Sequence, residues 1–288
     1  MKTKVRFLTL ILFAAFVSIV SCSSGNNTEN SADNSKEDAE YTAILKELMT
    51  NETVAEAMNL NMKESKDILV EMLTSRGVEQ SEAEETVNTF INDILVDINI
   101  KYFLPYCKKY LTLDELKKVR ELYNNAEYQR VNRQSLVANK NNMYYIESAL
   151  SQAMNCILAN VTPEPVERRI GYSDSYLALC NEYCKATHAD AIVDNIIPQL
   201  AMAMGNNNES KRVANSLASY MKDNFDILLA NMMYGSLNEE EIKTLISYTK
   251  KSEMQKFLKA NMERSKNMDA YLNEVNAKYQ EFIEKNLN

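Results

Sequence analysis

Cys180, Cys184 and His188, in the stretch "CNEYCKATH", are the residues of this chain whose types and spacing come nearest to a chemical site. On a helix, side chains four residues apart share a face about 6 Å apart, so Cys180 with Cys184, or Cys184 with His188, has the spacing of two ligands on one metal. All three cannot reach one ion, because eight residues of helix put Cys180 about 12 Å from His188 and zinc lies only ~2.0 to 2.3 Å from each ligand. A metal centre would need ligands from elsewhere, and His188 is the only histidine. No metal and no cofactor is expected. A disulfide between Cys180 and Cys184 is excluded on an intact helix, since their Cβ atoms are too far apart. Cys107 and Cys156 sit in apolar contexts, "YFLPYCKKY" and "SQAMNCILAN", where a free thiol behaves as a small hydrophobe. The expectation is buried thiols, with one long-range bridge as the alternative.

Catalysis finds little else to use. A single histidine leaves no Ser/His/Asp alternative, no stretch reads as a strand followed by GxSxG, and five scattered glycines do not make a phosphate cradle. Acidic clusters such as Glu239–Glu241 read as helix starts and solvated faces. No catalytic residue and no enzymatic activity is expected. Sixteen tyrosines and fifteen methionines, without tryptophan, are more distinctive. Tyr102, Tyr106 and Tyr110 fall at i, i+4 and i+8, either as core packing or as an adaptable face for a partner helix or an apolar ligand.

Elements must hold these residues in place. Four prolines, five glycines and few β-branched runs predict an all-α chain. Gly77 reads as a helix stop, Ser81 with Glu84 as a capping box for a helix running towards Tyr110, and Pro105 as a kink in it. "LTLDELKKVRELYNNAEYQR" (111–130) and "LNEEEIKTLISYTKKSEMQK" (237–256) align without gaps at an offset of 126, with five identities in twenty positions. Both predict a capped short helix (Thr112 with Glu115, Asn238 with Glu241), a break, and a second helix. Upstream, Tyr41 and Tyr176 both open Leu-rich helices, at an offset of 135. The expected body is two tandem helical-bundle repeats, 40–160 and 174–284, joined by the Pro-containing linker 161–173.

The quoted segments resemble the bacterial domain-of-unknown-function family 2059, small helical exported proteins. Glu115, Leu116, Leu122, Tyr123, Gln129 and Arg130, and then Glu241, Ile242, Tyr248, Gln255 and Lys256, fit its pattern. Where the family has Pro and Gly, this chain has Ala126 and Tyr128, then Ser252 and Met254. The resemblance implies a helical fold and carries over no catalytic residue.

Attachment is written at the start. Lys2, Lys4 and Arg6 precede an apolar run, Phe7–Val20, of roughly 21 Å as a helix, short of the ~30 Å hydrocarbon core. Residues 1–21 read as a signal peptide. "IVSC" (19–22) resembles the lipobox of bacterial lipoproteins, which implies lipidation of Cys22 and membrane attachment through that lipid. Ser23 after the cysteine implies an outer-membrane address, facing the periplasm or the cell surface. Residues 22–39 offer almost nothing to bury and are expected to form a flexible tether. Without Lys2, Lys4 and Arg6 the formal charge goes from −8 to −11, which argues against nucleic acid as a partner. The expected function is a non-catalytic envelope scaffold that binds a protein partner, or alternatively a carrier of an apolar small ligand in a Met/Tyr-lined cavity.

Overall fold

Scarce helix breakers leave the backbone free to hydrogen-bond to itself, and the described residues are helical with no strand. The computed structural model describes residues 32–51, 56, 63, 66–91, 96–205 and 207–287. The chain is all-α. Its helices are α1 (Ala32–Thr50), α2 (Gln80–Thr89), α3 (Val96–Tyr110), α4 (Leu113–Tyr123), α5 (Ala126–Leu158), α6 (Asp174–Ala186), α7 (Ala189–Ala203), α8 (Asn208–Met233), α9 (Glu239–Thr249), α10 (Ser252–Ser265) and α11 (Asp269–Leu287). A further helical stretch covers 66–74. No helix among the described residues is long and apolar enough to cross a membrane.

Local chemistry sets most of the boundaries. Gly77 and Gly235 take the left-handed conformation (φ +91° and +90°) that ends the helices before them. The Asn125, Ser173 and Asn207 side chains accept backbone N–H groups at the starts of α5, α6 and α8. Two expectations need correction. The Ser81–Glu84 box does not form: α2 begins two residues earlier than that box requires, at Gln80, with Glu79 as an N-cap that makes no side-chain bond, and Glu84 accepts from Gln80 instead. Pro105 lies inside α3, and the backbone bond it removes falls on a side where both Lys101 and Pro105 are exposed. α1 starts inside the segment expected as tether, and Asp38 pairs with Lys108 there.

Two compact units are present, and they do not follow the division 40–160, 161–173 and 174–284. Leu122–Gln255 forms a central unit, while the described residues up to Glu121, together with Lys256 onward, form a flanking unit. The central core gathers Leu150, Met154, Ile157, Val193, Leu200, Val213 and Leu217. In the flanking unit Leu69, Leu73, Val87, Phe90 and Phe282 cluster, and Phe103 meets Phe257 edge-on at 5.3 Å between ring centroids.

Inside each unit the same contacts recur. Both capping boxes close: Thr112 N–H donates to Glu115 and Glu115 N–H to Thr112 Oγ1 (3.0 and 3.3 Å), and Asn238 with Glu241 does likewise (2.9 and 3.0 Å). Tyr41 donates its buried hydroxyl to the Leu111 carbonyl (2.9 Å) in the flanking unit, and Tyr176 donates to the Leu237 carbonyl (3.1 Å) in the central one. Leu111 and Leu237 are separated by the offset of 126, and Tyr41 and Tyr176 by 135. The ion pairs are reciprocal. Lys256 on α10 meets Glu115 of α4 at 2.5 Å, and Arg130 on α5 meets Glu241 of α9 at 2.7 Å. Each box helix is thus capped, in its own unit, by the post-turn helix of the other segment.

Candidate functional site

The segment expected to be a linker between the repeats belongs to the central unit and is strapped to one of its helices. Asn160 (φ +56°) turns the chain out of α5, and Val161 N–H returns to the Cys156 carbonyl at 2.8 Å. Asn224 and Asn231 on α8 lie seven residues apart, two turns along one face, and both are buried. Asn224 Oδ1 accepts from Val166 N–H at 2.8 Å. Asn231 does more: its amide N–H donates to the Glu167 carbonyl (2.8 Å), and its Oδ1 accepts from Arg169 N–H (3.0 Å) and the Tyr172 hydroxyl (2.8 Å). Two buried amides thereby satisfy a backbone stretch that has no helical partners of its own.

Aromatic rings form the floor. The Arg169 guanidinium lies 4.2 Å from the Tyr145 ring centroid and 5.6 Å from that of Tyr234, and donates to the Asn231 carbonyl at 2.7 Å. Arg168 stacks on Tyr172 at 4.6 Å and pairs with Asp174 at 2.5 Å. Gly171 has φ +121°, and a Cβ there would come within 2.6 Å of the Tyr234 hydroxyl, so only glycine fits. Between Arg169 and Gly171, Ile170 stands 100% exposed. Tyr144, 54% exposed, stacks on Tyr145 with ring centroids 4.0 Å apart. The result is a fixed turn that holds a branched aliphatic side chain in water beside a stacked arginine. Its chemistry is that of contact. The sequence signal for the strap, two asparagines seven apart on an otherwise apolar helix face, is legible only once α8 is known to be buried on that face.

The residues picked out by spacing fall elsewhere. α6 ends at Ala186, and His188 sits past it in the left-handed conformation (φ +56°), so it does not continue the face of Cys180 and Cys184. Its Nε2 is 2.9 Å from the Gln255 side-chain oxygen. Among the described residues, no group of three or more His, Cys, Asp or Glu is placed to hold a metal. Cys107, Cys156, Cys180 and Cys184 are free thiols. Burial pushes the Cys107 thiol well up, and burial followed by the charge of Asp226 pushes Cys180 to about 12, so both stay protonated and unreactive. Tyr102, Tyr106 and Tyr110 are half-buried along α3. Tyr102 donates to the Ala270 carbonyl (3.2 Å) and meets Tyr271 edge-on, and Lys259 lies 5.2 Å from the Tyr110 ring centroid, so α10 and α11 cover part of this stripe. Cys22 lies outside the described residues.

A groove of about 570 Å³ runs beside the strap, lined by Thr162, Pro163, Arg212, Ser216, Tyr220 and Asp223 among others, with one tyrosine and no methionine. Comparison with protein-family models, curated proteins and solved structures finds no match to this chain.

Proposed function

We propose that this is a non-catalytic, lipid-anchored envelope protein that docks a protein partner through the strapped turn at Ile170, and that its body is one helical module used twice. The observation that carries the docking reading is the fully exposed isoleucine on a turn held by Asn224, Asn231 and the stacked Arg169. A mobile loop could fold such a side chain away. Here the bonds that fix the backbone also keep the side chain in water, and an apolar socket on a partner would recover that burial. Two related modules, each completed by the other's post-turn helix, account for the reciprocal pairs Glu115–Lys256 and Glu241–Arg130. The anchor reading rests on Cys22 in "IVSC", with Ser23 supporting the outer-membrane address.

A photo-crosslinking amino acid placed at position 170 in the native cell tests the docking. One discrete protein adduct is expected there, absent when the same group replaces Lys140, an exposed residue on α5. Equal labelling at both positions, or none at 170, ends the docking reading. Mass spectrometry of the mature N-terminus checks the anchor separately: a terminal Cys22 bearing fatty acids is expected.

A further inference from the structure

Arg264 is the largest fully buried side chain among the described residues, 0% exposed in the last turn of α10, and none of the described carboxylates pairs with it. Its Nη2 donates to Asn99 Oδ1 at 3.1 Å, and its guanidinium lies 5.4 Å and 5.7 Å from the ring centroids of Phe103 and Tyr271. Nε and Nη1 have no acceptor among the described residues. A guanidinium keeps its charge in a protein, and a buried charge is stable only when it is paired and its N–H groups are used. Two rings and one amide do part of this. The remaining N–H donors form a site without its acceptor.

The packing does not demand a cation there. At the offset of 126 the counterparts of Arg264 and Asn99 are Ala138 and Phe225, both buried and apolar, in the central unit. That comparison rests on the duplicated-module reading, whereas the unpaired donors do not. The position is also shallow along the chain, because Lys266 and Asn267, two and three residues on, are exposed in the turn between α10 and α11. We propose that Arg264 is the receptor of an anion-binding site in the flanking unit, and that its ligand is a small carboxylate. One negative charge matches one guanidinium in apolar surroundings, and a carboxylate is a planar acceptor small enough to take a guanidinium N–H without bringing further charge. A doubly charged anion would leave excess charge among Phe103 and Tyr271.

Sodium formate titrated into the full mature chain, against sodium chloride at equal ionic strength, provides the test. Formate, not chloride, is expected to raise the thermal midpoint saturably, and to shift the Arg264 Nε–H resonance in a ¹⁵N spectrum along the same binding curve. Arg264→Met is expected to melt higher than the parent without formate and to be indifferent to it. The resonance titration uses the unaltered chain, so it decides the matter even if the variant does not fold. An Nε–H resonance that formate leaves in place, a chloride response equal to that of formate, or an Arg264→Met variant stabilised by formate as the parent is, would each overturn the proposal.

Discussion

Tyr41 and Tyr176 show how one atom can fix a helix. Each hydroxyl reaches the carbonyl of the leucine just before a capping box, Leu111 or Leu237, and each is buried. That carbonyl lies past the end of α3 or α8, where the helix no longer supplies a donor. Tyr41→Phe and Tyr176→Phe keep the ring and remove the bond, so each should lower stability by about 1 kcal/mol. Urea unfolding should show the midpoint falling by a similar amount in both variants, with the m-value unchanged. A loss in one variant and none in the other would mean that the two hydroxyls do different work. The same logic explains why Cys107 and Cys180 are inert. Their surroundings favour the neutral thiol, and a pairing visible in "CNEYCKATH" becomes two packed side chains and a histidine beyond the helix end.

Among the elements, the capped starts of α4 and α9 carry the shared pattern. Glu241 shows how the cap and the ion pair combine: burial alone would raise its carboxyl, but the Arg130 guanidinium and the Asn238 N–H outweigh that and hold it below the usual carboxylate range. Glu115 is held down by Lys256 and by Thr112 N–H. Asn238→Ala removes the acceptor for Glu241 N–H and should cost about 1 kcal/mol in chemical denaturation. Thr112→Ala should cost less, because Glu115 is more exposed than Glu241 and water can replace more of what is lost. The reverse order would show that burial of the box is not what sets its worth. These boxes were legible in the sequence because a cap is a local contract between residues three apart. The Ser81–Glu84 pair had the same spelling and failed, since the helix found a start two residues earlier. Long-range facts were not legible. Prolines at 163 and 165 read as a boundary, yet Asn224 and Asn231, some sixty residues on, tie that stretch into the central unit. Likewise the offset of 126 marked two segments as alike but not that Lys256 would serve Glu115, and Arg130 would serve Glu241.

For the molecule as a whole, tyrosine stands where tryptophan is absent, and this gives stability a characteristic dependence on pH. Burial pushes Tyr41, in the flanking unit, to about 12, with Glu37 adding to it. In the central unit burial pushes Tyr128 to about 12 and raises Tyr123, Tyr176 and Tyr183 as well. A phenol whose folded pKa exceeds its unfolded value of 10.0 favours the fold in its neutral form. The unfolded chain then releases protons that the folded chain keeps, so the contribution is intact below pH ~10 and is lost as the pH rises towards 12. Stability should therefore fall steeply across that window. Both units contain such phenols, so neither should survive it as a folded remnant. Tyrosinate absorbance and helical circular dichroism, followed together in an alkaline titration, should change in one cooperative step for these buried residues, after a gradual phase from the exposed tyrosines. Tyrosinate appearing in full near pH 10 with the helices intact would show that the phenols are open to water, and that the fold owes nothing to keeping them neutral.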